Sequence, residues 1–208
     1  MIKNMNLHNL CKYSIAIFIA FLIPIYCYYY GPLNFLWFSD VGLFLTVLIL
    51  WLNSSLINSM ASVGILSLEI IWCLDFIGDL LRNLRLTNFD LVDGLSDYMF
   101  ENNFPLPLRL MSLFHVVLPI AWIYYLYKWG YNRKGLIYFI PLYWADITLT
   151  YLLTDPAKNT NWVFLAQTDK LTCLTQTQWL LVMYFVVPIV LFVPMHLILT
   201  IICKPAKN

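Results

Sequence analysis

Four ionisable residues stand inside four different apolar runs of the sequence: Asp40, Asp75, His115 and Asp146. Histidine titrates near neutrality and suits a general acid or base. A carboxylate beside it orients the ring or binds a cation. These four are the expected catalytic group. Residues three or four apart share a helix face. That spacing places Asn34 and Trp37 near Asp40, Asp79 beside Asp75, Tyr143 and Thr150 about Asp146, and Ser112 and Pro119 about His115. Asn34, Trp37, Ser39, Tyr143 and Asp79 are the expected substrate-binding positions. The competing explanation is structural: polar groups in apolar helices also hydrogen-bond between helices and fix a bundle. For any single residue that explanation is at least as good, and the grouping of four is what favours a site. Glu69 is expected deeper, near the middle of its run, and His196 near the inner end of the last run.

Other chemistry finds little support. There is no phosphate-binding glycine loop, no dinucleotide fingerprint, no HExxH and no GxSxG. Ser39 directly precedes Asp40, too close in sequence to pair with it on one helix face. Thr148 and Thr150 are expected to bond back to their own helix. None of the five cysteines forms a CxxC pair, and no Cys–His group has zinc spacing. No metal and no cofactor are expected.

The elements that must hold these residues follow from composition. The chain has 208 residues, 62% hydrophobic and 11% charged, against about 25% charged for a soluble domain. So few charges would leave large apolar patches in water, and a bilayer removes that problem. A net charge of +1 gives no reason to expect nucleic acid as a partner. A span needs about 20 apolar residues, and six runs qualify: 13–30, 34–52, 56–81, 107–128, 135–153 and 178–203. Gly31-Pro32, Asn53-Ser54-Ser55, Asn103 to Pro107, Gly130 to Gly135 and Asp155-Pro156 break them. The expected fold is an all-α, polytopic membrane helix bundle of about six transmembrane helices, one domain over 1–208. The first run follows Lys3 and Lys12 but lacks a small-residue cleavage site, so it reads as an uncleaved signal-anchor.

Basic residues set the orientation. With the N-terminus inside, the inner segments hold Lys3, Lys12, Lys128, Arg133, Lys134, Lys204 and Lys207 and no acid. Both termini are then cytoplasmic, in the inner (plasma) membrane. At about 1.5 Å per residue, Asp40, Asp75, His115 and Asp146 all fall in the outer half, about 9–12 Å deep. Two outer segments are long. Residues 82–106 carry Leu84, Leu86, Phe89, Leu91, Leu95, Tyr98 and Met99 among charges, which suits an interfacial amphipathic helix or, equally, a cap over the bundle. Residues 154–177 are polar, with Trp162, Val163 and Phe164 as an apolar anchor. Cys27 and Cys173 both fall near the outer face and are expected to stay unpaired.

Several stretches resemble a family of small bacterial integral membrane proteins described only as membrane-associated: GPLNFLWFSD (31–40), WCLDF (72–76), SDYMF (96–100), SLFHVVLP (112–119), YLLTDPAKNTNWVF (151–164) and PMHL (194–197). That family has no assigned activity, so the resemblance implies architecture alone. Residues 112–164 also resemble, more distantly, the androgen-induced family of six-span membrane hydrolases of lipid esters. The shared features are His115 with Pro119, a short basic loop, a further span and the Trp162-Val163-Phe164 segment. The resemblance implies that His115 matches that family's active histidine. Its threonine nucleophile, at the start of span two, is replaced by Trp37, with Ser39 the nearest hydroxyl.

Three functions stay open. The first is a lipid-directed hydrolase-like enzyme, or an inactive relative, with an outward-facing Asp/His pocket and membrane lipids as partners. The second is a small proton-coupled transporter, against which stands the lack of an inverted repeat. The third is a structural or assembly protein. Sequence does not set the oligomeric state.

Overall fold

The computed structural model describes residues 7–87, 94–165 and 174–206, and among these the chain is all-α with one isolated bridge. In chain order the helices are α1 Leu7–Tyr29, α2 Phe38–Leu52, α3 Ser55–Gly64, α4 Leu66–Asn83, α5 Leu106–Met111, α6 Phe114–Trp129, α7 Gly135–Leu153, α8 Gln176–Leu181 and α9 Val193–Ile202. Short 3₁₀ turns fill Pro32–Leu36, Asp97–Met99 and Thr160–Trp162. Wide π turns over Val182–Val186 and Pro188–Phe192 join α8 to α9.

Four helical runs are long and apolar enough to cross a membrane: Leu7–Tyr29, Leu106–Trp129, Gly135–Leu153 and Gln176–Ile202. A fifth is α3 with α4, provided the 55° bend between them lies within one span. The expected count of six is therefore corrected to four or five by length and composition. The 34–52 run is what falls short. Gly31, at φ 84°, turns the chain and Pro32 opens a 3₁₀ turn, which leaves α2 with 15 residues. That is about 22 Å of helix, less than a hydrocarbon core of about 30 Å.

The helices face outward with apolar side chains. Phe21, Ile120, Ile137 and Ile189 are each at least 64% exposed, an arrangement suited to lipid and costly in water. Inside, Leu22, Leu43, Ile49, Ile65, Leu118, Trp122, Phe139 and Ile147 are buried completely or nearly so. Small residues let α3 sit close to its neighbours. A Cβ on Gly64 would lie 1.9 Å from the Phe139 ring, and one on Gly135 would lie 2.8 Å from the Ser59 Cβ. The α3–α4 bend falls directly after Gly64, at a small residue where helices commonly kink.

The two ends of the bundle differ. At one end the Lys12 ammonium lies 4.1 Å from the Trp51 ring centroid, and Asn53, Ser55, Lys128, Trp129 and Lys204 surround a small cavity. Here Gly130, at φ 85°, passes close to the backbone of residues 204–205. The Tyr131 N–H donates to the Lys204 carbonyl, and the Ala206 N–H donates to the Tyr131 carbonyl. At the other end Trp37 meets Trp162 at 5.9 Å and Tyr30 meets Phe104 at 5.0 Å between ring centroids. Thus α2 runs from the Trp37–Trp162 end to the Lys12–Trp51 end, despite its short length.

Residues 94–100 do not continue an interfacial helix. They form a cap with one 3₁₀ turn, fastened to α4, in which Ser96 and Met99 are buried. Phe89 and Leu91 of that expected helix lie outside the described residues. Cys27 is an exposed free thiol, and Cys173 also lies outside the described residues.

Candidate functional site

A cavity of about 650 Å³ opens in the Trp37–Trp162 half of the bundle. Its lining comes from Tyr26 of α1, the 30–37 turn, the first turn of α2, the N-terminal half of α4, the cap, Phe104, the α5–α6 junction, and Asn161 with Trp162. No described lining residue comes from α3, α7 or α9. Beneath it the bundle is packed by Leu43, Ile65, Leu118 and Trp122, all fully buried. The Trp122 indole N–H donates to the Thr46 hydroxyl at 2.8 Å, and the Asn58 amide donates to the Trp122 carbonyl at 3.3 Å. These bonds satisfy the Trp122 indole and the Asn58 amide nitrogen, while Asn58 Oδ1 is buried without a hydrogen-bond partner.

The chemistry-bearing pair in the wall is His115 with Glu69. The ring Nδ1 lies 2.8 Å from Glu69 Oε2, and both side chains are largely buried. An ionised carboxylate only accepts hydrogen bonds. In a neutral ring paired this way Nδ1 donates, and Nε2 is the nitrogen that keeps a lone pair. The ring is held in a column of aromatics. It stacks on Trp72 at 4.3 Å and on Phe114 at 4.4 Å between centroids. Trp72 stacks on Phe76, and Phe76 on Phe100 of the cap. A base fixed in tautomer by a carboxylate and in orientation by packing is what general-base catalysis requires.

Asp40 shares this cavity. It is 3% exposed, its Oδ2 accepts from the Asn34 amide at 3.3 Å, and its Oδ1 has no hydrogen-bond partner. Its place in the first turn of α2 puts it at the positive end of the helix dipole. Asn34, Trp37 and Ser39 also line the cavity. Burial raises the Tyr98 phenol well above its ordinary range, which keeps it a neutral hydroxyl in the cap wall. The Tyr30 phenol is also raised, first by burial and second by the charge of Asp40.

The structure divides the other expected site residues from this pair, because loop backbone takes up their carboxylates. Asp75 Oδ2 accepts the backbone N–H groups of Leu95 at 2.9 Å and Ser96 at 2.6 Å. Asp79 accepts from the Ser96 hydroxyl at 2.5 Å and from the Arg82 guanidinium. Both therefore hold the cap. Asp146 Oδ2 accepts from the Asn161 amide at 2.8 Å. That amide also reaches the Leu36 carbonyl, and the Asn161 Oδ1 takes the Phe38 N–H. Asp146 so fixes a left-handed asparagine, at φ 52°, against the start of α2. Tyr143 donates to the Met183 carbonyl at 2.8 Å and stacks on Phe38, outside the cavity lining. His196 pairs with the Tyr131 hydroxyl at 2.7 Å at the basic end.

Glu69 was the partner that depth reckoning missed. Tyr26, whose hydroxyl lies 3.1 Å from Ser112 Oγ, Tyr98 and Asn161 also join the lining without a periodic signal to reveal them. Among the described residues no group of three or more His, Cys, Asp and Glu is placed to hold a metal ion.

No family model, no curated protein and no solved structure matches the chain.

Proposed function

We propose that this protein is a membrane-embedded hydrolase-like enzyme acting on esters of amphiphiles, with His115 as the acid/base and Glu69 as its positioning residue. The observation that carries this reading is the His115–Glu69 contact of 2.8 Å in the wall of a cavity of about 650 Å³. A pocket of that size, with mostly apolar walls and a few convergent polar groups, suits an amphiphile. In the proposed reaction Nε2 of His115 takes a proton from water. The hydroxide adds to the ester carbonyl carbon, the C–O bond to the alcohol breaks, and the imidazolium returns its proton to the departing oxygen. Water is the nucleophile we favour. The resemblance to the androgen-induced hydrolases agrees with the histidine and leaves its threonine position filled by Trp37.

The packed floor below Asp40 and Glu69 favours an enzyme over a transporter, since a carrier needs a path to the second side. The acid-free basic end is read as cytoplasmic, in the inner membrane of a bacterial cell. Counting α2 as a crossing returns the total to six, with both ends of the described chain on that side.

The test is hydrolysis of a series of fatty-acyl esters by the purified protein in lipid nanodiscs. His115→Ala should lower kcat/KM by about 10²–10⁴-fold without loss of folding. No turnover by the unaltered protein across the series, or turnover that His115→Ala leaves intact, would overturn the reading.

A further inference from the structure

We infer that the cavity recognises an amphiphile whose head carries a single ammonium group. The inference deepens the enzyme reading by naming its substrate class, and it rests on that reading only in taking the cavity as the ligand site. Asp40 Oδ1 is buried in the cavity wall without a hydrogen-bond partner, while the Asn34 amide already occupies Oδ2. A buried carboxylate is costly unless a cation or donors meet it. Within the chain the helix dipole of α2 offers partial compensation. Among the described lining residues there is no lysine and no arginine. An ammonium group on the ligand would supply both the charge and the donor that this lining lacks for Oδ1.

The remaining walls fit the same chemistry. Tyr26, Tyr30, Trp37 and Phe104 border the cavity that Asp40 lines. Aromatic faces attract ammonium ions, and do so more strongly away from water. A carboxylate among aromatic rings recognises a cation through both. An anionic head, by contrast, would meet Asp40 and Glu69 with no compensating cation in the wall. A neutral polyol would fill Oδ1 and gain nothing from the ring faces.

The experiment compares three water-soluble probes with one tail: hexylammonium, hexylglycerol and hexyl phosphate. Saturable binding to the nanodisc-embedded protein is read from intrinsic tryptophan fluorescence and from the thermal unfolding midpoint. The ammonium probe should bind about tenfold or more tighter than either of the others. Asp40→Asn should abolish that preference. Equal binding of the three, a preference for glycerol or phosphate, or an intact preference in Asp40→Asn would overturn the inference. Should Asp40→Asn fail to fold, the probe series on the unaltered protein decides alone. Binding needs no turnover, so a failure of head selectivity is separable from a failure of hydrolysis.

Discussion

The carboxylates of this bundle have parted into two kinds of work. Glu69 and Asp40 face open space, whereas Asp75, Asp79 and Asp146 spend their oxygens on loop backbone and loop side chains. The distinction is measurable residue by residue. Asp75→Ala would strand the Leu95 and Ser96 N–H groups beneath the cap. Each buried donor so left costs about 1–3 kcal/mol. The unfolding midpoint should fall clearly, with a smaller fall for Asp75→Asn, which keeps one acceptor oxygen. Glu69→Gln should behave in the opposite sense, with a small effect on stability and a drop in ester turnover of up to about 10⁴-fold, as expected when a base loses its tautomer control. If the two substitutions instead gave the same pattern, the division of labour would be wrong.

At the scale of elements, the helix pair α3–α4 decides where the site forms. Gly64 admits the Phe139 ring, and the 55° bend follows at once. Gly64→Ala should push these helices apart and destabilise the protein by about 1–3 kcal/mol, as overpacked cores do. Phe139→Leu, added to it, should restore part of the loss in a thermal melt. Part of this site was legible in the sequence. Asp40 and His115, counted to one level from the sequence, do line one cavity, although the α5–α6 run is interrupted at residues 112–113 just before His115. Glu69 was counted as lying deeper in its run than Asp75 and was given no partner, whereas it bonds His115 across α4 and α6. Asp75 and Asp146 were expected to meet His115, and the structure gives them other partners. Those partners, residues 95–96 and Asn161, sit in non-repeating turns that no hydrophobic period reports. The shortness of α2 had a visible cause in Gly31-Pro32, whose turn consumes residues that the apolar run alone would assign to the span.

Across the whole molecule, polarity is distributed along the bundle axis. One end gathers Lys12, Lys128, Arg133, Lys134 and Lys204, and the other holds the cavity, the cap and the acidic residues Asp97 and Asp155. This arrangement requires α7 to carry the chain from the basic end to the cavity end and the segment after α9 to lie back at the basic end. Single cysteines at Lys134 and Asp155, in a background without the native thiols, should react with an impermeant maleimide from opposite faces of sealed vesicles. A cysteine at Ala206 should share the face of Lys134. Labelling of positions 134 and 155 from one face would contradict the topology.

Tyr131 and the 204–206 segment carry a consequence for biogenesis. The backbone partners of Tyr131 lie beyond α7, α8 and α9 in the chain. A ribosome therefore delivers the α6–α7 loop long before the strap that fastens it. Through that interval the loop's Gly130-Tyr131 backbone waits unlatched, and the Tyr131 hydroxyl lacks His196 as well. Locking of the basic end therefore waits on the synthesis of residues 204–206, and a nascent chain arrested before residue 204 should expose the loop to protease where the longer chain does not.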